Sequence, residues 1–463
     1  MGIEQALLIS IAVYLTITFG VVLWSKEQIH TEEDFIVAGR RLPLLLSSAT
    51  LLATWFGAGT ILTASDEVYA EGLRVSALEP YGAGLCLILA GVFFAKPLWE
   101  MKLLTLSDLY LLRFGRKMEV LSVILVVPGY MGWIAVQLTA LAGILNLFFA
   151  LPIIWGILIV ATIATIFTLF GGMWSVTLTD AILLILITVG VLMLGYEVFS
   201  IVSWEQMRRE LPAEDMVWVP LRDPGSFMKW TGLLVVGSLG NIPGQDLTQR
   251  IFSAKSSKVA RNACLISGVG YILLGTIPVL TALAARLILG PDLEHSVLPT
   301  LAREILSPAM VVVFVLALIS VVISTIDSAI LAPASLIARN LIRPYVRSEI
   351  STLVLLHGSV VFMAVASVMV AIMGEDTYSI LESSYAIALV GMFVPLCFGL
   401  FWKNPSEKAA VTATVCGVLI WLPEVIWDLD YPLTLVATAS AFLIYFAVSS
   451  WENANQETGA QEI

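Results

Sequence analysis

Apolar residues in this chain come in long blocks, not at the spacing of an amphipathic helix or an alternating strand. Stretches such as 178–196 and 309–323 are predominantly apolar on every face, the pattern of a helix surrounded by lipid. Hydropathy divides the chain into about 13 spans, with limits near 6–24, 43–65, 77–98, 118–149, 152–170, 177–199, 230–250, 259–289, 308–338, 350–373, 377–402, 408–427 and 432–451. The fourth and ninth are long enough to tilt or to project beyond the bilayer. Ten-residue alternating segments, the mark of a membrane β-barrel, do not occur. The pattern predicts an all-α polytopic membrane protein.

Two spans are interrupted. Residues 53–60 read Ala-Thr-Trp-Phe-Gly-Ala-Gly-Thr, and residues 237–244 read Gly-Ser-Leu-Gly-Asn-Ile-Pro-Gly. Each glycine costs a helix about 1 kcal/mol, and irregular backbone survives in hydrocarbon only against protein or a cavity. Paired Gly-interrupted spans point to a transporter's binding site. Spans 2–6 and 7–11 overlay as five plus five, each set headed by a broken span. Because five is odd, the two sets have opposite topology. This layout predicts an inverted-repeat core over 43–402 within one transmembrane domain, 1–463.

Composition agrees: 59% hydrophobic, 13% charged and a mean hydropathy of +0.94, where soluble domains carry about 25% charged residues. Alternate loops hold 17 of the 24 Lys and Arg residues, among them Arg250. By the positive-inside rule these loops are cytoplasmic, placing the N-terminus outside and the C-terminus inside the cell membrane. The first span starts acidic without a small-residue cleavage site and reads as retained. The polar tail 452–463 is expected to be cytoplasmic and unstructured. Stretch 104–115 reads as a short surface helix starting near Ser107 or Asp108. Despite a net charge of −11, no basic patch with interleaved aromatics suggests nucleic acid. The absence of Gly-x-x-x-x-Gly-Lys-[Ser/Thr] and His-Glu-x-x-His motifs argues against ATP and against an enzyme. Cys86, Cys264, Cys397 and Cys416 lie in apolar spans as packing residues, and the three histidines are dispersed.

Chemistry concentrates in the ninth span, at Ser320-Val-Val-Ile-Ser-Thr-Ile-Asp-Ser328. Ser320, Ser324 and Asp327 share a helical face, with Thr325 and Ser328 beside them. Hydroxyls and carbonyls suit a hard cation, and an intramembrane carboxylate commonly marks an ion path. The alternative is that these hydroxyls bond back to their own helix or join two helices.

Several motifs together resemble the sodium:solute symporter family, which has the leucine-transporter-type fold. They are Phe35-Ile-Val-Ala-Gly-Arg-Arg41, Tyr69-Ala-Glu-Gly72, Gly171-Gly-Met-Trp-Ser-Val-Thr-Leu-Thr-Asp180, Gln249-Arg-Ile-Phe-Ser-Ala-Lys255 and Ile323-Ser-Thr-Ile-Asp-Ser328. The resemblance implies sodium as coupling ion, held by the carbonyls of Ala53, Phe56 and Val321 and the hydroxyls of Ser324 and Thr325. It also implies an ion-exit role for Asp180; a helix cap, with Thr177 and Thr179 ahead of it, is the other reading. Locally the chain is similar to the high-affinity choline transporter branch, through Leu87–Pro97, Asp327–Asn340 and Trp55. That branch's further aromatics align with Ala83 and Gly244, leaving Tyr81 and Trp133 as substitutes.

Position adds Gly57, Thr60, Gln245 and Asp246 to the solute-site candidates, with Asp246 alternatively paired to Arg250 at i+4. Gln137 and Tyr385 read first as interhelical hydrogen-bonding groups. The implied activity is sodium-coupled symport of a small organic solute by alternating access. That solute is either a choline- or betaine-like compound or an amino acid, carboxylate or similar metabolite. A proton-coupled symporter of the same fold and a transporter-like sensor are the alternatives.

Overall fold

The computed structural model describes residues 2–461 except 291, 292, 294, 347, 348, 375, 428 and 430, with the backbone alone for 455–461. Among the described residues every regular element is helical, and Leu42 and Ala254 form an isolated parallel bridge. The long helices are α1 (Ile3–Lys26), α2 (Leu44–Trp55), α3 (Gly59–Glu71), α4 (Leu73–Glu100), α5 (Leu106–Phe114), α6 (Arg116–Phe149), α7 (Ile153–Ile201), α8 (Pro224–Leu239), α9 (Gln245–Ser253), α10 (Ser257–Leu289), α11 (Pro308–Tyr345), α12 (Thr352–Met373), α13 (Thr377–Phe401), α14 (Glu407–Ile426) and α15 (Leu433–Gln461). Their outward faces carry large exposed apolar side chains, such as Ile185, Leu273 and Leu443. Such a surface is stable only against other hydrocarbon.

Among the described residues ten helices are long and apolar enough to cross a membrane, or eleven with the bent pair α2–α3. The count of about 13 is not reached by this measure, and the differences fall at two breaks. Residues 152–199, expected as two spans, form two helical stretches running on from one another as the 49-residue segment α7. At 1.5 Å per residue that is about 74 Å, over twice the hydrocarbon thickness. It is interrupted at Gly172, where φ is 53° and an added Cβ would stand 2.9 Å from the Phe35 ring. The seventh span is two short helices, α8 and α9, separated by residues 240–244.

Local signals explain several ends. Thr105 caps α5 in a capping box with Asp108, so the helix begins before Ser107. Asp223 caps α8, with Pro224 in its first turn. Helix α15 continues as backbone to Gln461, through residues expected to be unstructured; 462 and 463 lie outside the described residues.

The core that matters for function lies where the two breaks approach. Helix α11 packs against α2, α6, α7 and α9, while α8 packs against α4 and α13. Helices α14 and α15 pair with each other at the periphery.

Candidate functional site

Helix α2 ends at Trp55, and α3 leaves at 52° to it. In a continuous helix the N–H groups of Gly57 and Ala58 would close onto the carbonyls of Ala53 and Thr54. Instead Gly57 N–H donates to Trp55 O (2.9 Å), and Ala58 N–H donates to Gln137 Oε1 (2.8 Å). The break therefore turns carbonyls away from their helical donors at the negative end of α2's dipole, where a cation is favoured. Gln137, a fully buried residue of α6, supports the bent backbone.

This break lies directly against α11. A Cβ on Gly57 would stand 2.7 Å from Thr325 Oγ1 and 3.0 Å from Gln137 Oε1. Thr325 Oγ1 donates to Val321 O (3.0 Å). Ser324 Oγ donates to Asp180 Oδ1. Ala53, Phe56, Val321, Ser324 and Thr325 are all buried, the first two at the end of α2 and the others on α11, two helices that pack together.

Asp180 is not a helix cap. It sits inside α7, fully buried, and accepts from Thr50, from Thr54 (3.4 Å) and from Ser324. Thr177 and Thr179 bond back to Met173 and Ser175 of their own helix. Thr54 also lies 3.4 Å from Ser328 Oγ. Ser328 accepts 2.6 Å from Nη2 of Arg250, whose Nη1 donates to Asp246 O (3.0 Å). The i,i+4 partnership of Asp246 and Arg250 thus runs through the backbone carbonyl, not the carboxylate. Asp327 points elsewhere, accepting from Thr168 at 3.4 Å.

Next to this network is a small cavity lined by Trp55, Glu79, Tyr130, Trp133, Asp246 and Tyr385, with Gly244 among its backbone walls. Its volume is about 40 Å³, room for about three waters. Trp55 Nε1 donates to Asp246 Oδ2 (2.7 Å), Tyr130 OH donates to Asp246 Oδ1, and Asp246 N–H donates to Tyr130 OH (2.9 Å). Glu79 accepts from Tyr271 (2.5 Å), Thr60 (3.0 Å) and Tyr385 (3.0 Å). Both carboxylates are buried, and the side chains that hydrogen-bond to them are the neutral donors Trp55, Tyr130, Tyr271, Thr60 and Tyr385.

Of the expected solute residues, Trp55, Trp133, Gly244 and Asp246 line this cavity. Thr60 stands behind the wall, donating to Glu79. Gly57 faces Thr325 and Gln137. Tyr81 is remote, with its hydroxyl 3.1 Å from Thr276 Oγ1 and its ring edge-on to Trp218. Gln245 reaches the other way, accepting from Leu106 N–H (2.7 Å) and donating to Ser335 (3.3 Å). Glu79 and Tyr130 are the additions, and Tyr385, read first as an interhelical hydrogen-bonding group, both bonds Glu79 and lines the wall. Glu79 was open to detection as an ionisable residue inside the third span; Tyr130 is one aromatic among many on α6.

The quoted motifs also converge. Gln249 donates to Ile36 O (2.6 Å), Lys255 N–H donates to Leu42 O (3.0 Å), Leu42 N–H donates to Ser253 O (3.1 Å), and Arg41 stacks over Trp174.

Two broken helices meeting around a buried polar interior are the architecture of a secondary transporter of the inverted-repeat class. The chain belongs to the sodium:solute symporter family, which it matches over residues 35–417. It is 28% identical over 442 residues to the high affinity choline transporter 1 of Homo sapiens, covering 89% of this chain and 76% of that one. It is 23% identical over 453 residues to the sodium/glucose cotransporter of Vibrio parahaemolyticus, covering 88% and 82%. A solved Na+-coupled sialic acid symporter, substrate-bound and outward-open, shares the fold with a TM-score of 0.80 at 16% identity, over 96% of each chain. The protein is a multi-pass membrane symporter, and sodium is its coupling ion.

Proposed function

We propose that the solute is a small organic cation of the choline type, taken up with sodium. The observation that carries this reading is the charge of the cavity wall. Glu79 and Asp246 present carboxylates there, Trp55, Tyr130, Trp133 and Tyr385 present rings, and among the described residues no Lys, Arg or His lines it. A desolvated aromatic face attracts a quaternary ammonium by about 2 kcal/mol, and a buried carboxylate adds to this. A carboxylate or amino-acid solute would need a cationic partner, and the Arg250 guanidinium is turned to Asp246 O and Ser328. Choline has more heavy atoms than three waters, so loading requires the wall to part, as alternating access demands.

Sodium would sit between the first break and α11, bound by the carbonyls of Ala53, Phe56 and Val321 and the hydroxyls of Ser324 and Thr325. Asp180, through Ser324, supplies a nearby counter-charge. Binding there ties α2 to α11 and selects the conformation with the solute cavity formed, a differential-affinity coupling. One sodium entering down 100 mV yields about 2.3 kcal/mol, enough for a solute gradient of about fifty-fold. The loop-charge bias favours a cytoplasmic C-terminus.

The test is ligand-induced thermal stabilisation of the purified protein in sodium and in potassium, with choline, betaine, proline, glucose, pantothenate and short carboxylates. Sodium-dependent stabilisation by choline supports the reading. Stabilisation by glucose or an anion but not by choline would overturn it.

A further inference from the structure

We infer that Arg250 is the positioning residue that couples sodium binding to solute binding. The inference rests on the ion and solute sites proposed above and adds the physical connection between them.

Arg250 stands with the basic residues of a cytoplasmic loop when the sequence alone is considered. The structure buries it: it is 1% exposed, and among the described residues no other Lys or Arg is buried. Two buried carboxylates, Asp180 and Asp246, lie near enough to act on it electrostatically. A guanidinium taken out of water and not paired to a carboxylate is costly, so its two hydrogen bonds are informative. Nη1 holds the carbonyl of Asp246 at 3.0 Å, in the first turn after the second break. Nη2 holds Ser328 Oγ at 2.6 Å, one turn beyond Ser324 and Thr325 on α11. Nε is buried without a partner, so burial of the fork is not explained by full satisfaction of its own donors.

These bonds complete a path between the two sites. From the ion side it runs Asp180 to Thr54 (3.4 Å), Thr54 to Ser328 (3.4 Å) and Ser328 to Arg250. From Arg250 it reaches Asp246, whose carboxylate orients Trp55 and Tyr130 in the cavity. The long links are the Thr54 contacts, which join α2 to α7 and α11. Sodium bridging Ala53, Phe56, Ser324 and Thr325 draws α2 and α11 together and tightens these contacts. Ser328 then fixes Arg250, and Arg250 fixes the backbone of Asp246 without neutralising its carboxylate, leaving that charge to the cationic solute. The planar fork is what allows one side chain to hold two acceptors on different helices; a lysine ammonium keeps the charge but lacks the fixed fork.

The experiment measures choline dissociation constants by isothermal titration at zero and saturating sodium, and sodium dissociation constants with and without choline. The proteins are wild type, Arg250→Lys and Ser328→Ala; the serine variant keeps the arginine in case the lysine variant does not fold. The ratio of choline constants without and with sodium is the coupling factor, and linkage requires the same factor for sodium. In both variants that factor is expected to fall at least fivefold toward one, while sodium alone still binds within about threefold of wild type. A purely structural role would weaken both ligands and leave the ratio unchanged. A ratio within twofold of wild type in a folded variant overturns the assignment of Arg250 alone. No sodium-linked choline binding in wild type overturns the solute reading, and this inference with it.

Discussion

The two glycines of the first break separate sharply once their surroundings are known, and they provide the most discriminating test of the ion site. Gly57→Ala places a methyl 2.7 Å from Thr325 Oγ1 and 3.0 Å from both Thr325 Cγ2 and Gln137 Oε1. Ordinary contact needs about 3.4 Å or more, so Thr325 has to retreat by about 0.7 Å, or the break has to shift. Overpacking of this kind costs about 1–3 kcal/mol. If Thr325 is a sodium ligand, that cost falls on the ion-bound state and raises the sodium dissociation constant about 5- to 150-fold, at 1.4 kcal/mol per factor of ten. Gly59→Ala, two residues on, meets only Leu381 carbons at 3.4 and 3.5 Å. It lies within α3, where alanine is the better helix former by about 1 kcal/mol. Its sodium constant is expected within twofold of wild type, with unchanged or higher thermal stability. Sodium titration of tryptophan fluorescence, with stability measured in parallel, reads both quantities. Equal loss in the two variants, or no loss in Gly57→Ala, would refute the placement of the ion against Thr325.

The other predictions concern the same interior. Ser324→Ala combined with Thr325→Ala should abolish sodium dependence of choline binding; binding that still rises with sodium removes those hydroxyls from the site. Glu79→Gln keeps the shape but removes a charge and turns one acceptor oxygen into a donor, so choline affinity should fall at least tenfold in equilibrium binding, with sodium affinity nearly unchanged. Tyr130→Phe leaves one oxygen of Asp246 without its donor, and bonds to charged groups are worth about 1.5–3 kcal/mol. A ten- to hundredfold loss of choline affinity is expected, whereas Tyr81→Phe, whose hydroxyl meets Thr276, should bind normally. Trp55→Ala should be more damaging than Trp55→Phe, since the latter retains a ring but not the bond to Asp246; equal affinities would mean that the ring only packs.

What the chain order alone determined follows from local physics. Transfer of apolar side chains into lipid depends on composition over about twenty residues, so the membrane class and most helices were readable directly. A helix break depends on glycine content and hydrocarbon surroundings, so both interruptions were visible, as were the paired hydroxyls at 324 and 325. The interruption at Gly172 falls in the gap expected between spans 152–170 and 177–199.

Which groups meet across 100 residues or more was a tertiary decision. Rotation of each helix about its axis decides whether a polar side chain faces a cavity, a neighbour or lipid, and long apolar helices carry too weak a polar pattern to reveal it. That rotation turns Tyr81 and Gln245 away from the cavity and brings Tyr130 and Tyr385 to it. It also moves Arg250 from an apparent loop charge to the buried connection between Ser328 and Asp246. Glu79 illustrates the boundary between the two. Its presence in a span was legible, but its value as a charge depends on Thr60, Tyr271 and Tyr385 arriving from three other helices. The local sequence can place a carboxylate in a membrane; only the assembled helices can supply its hydrogen-bond donors and turn it toward a cavity.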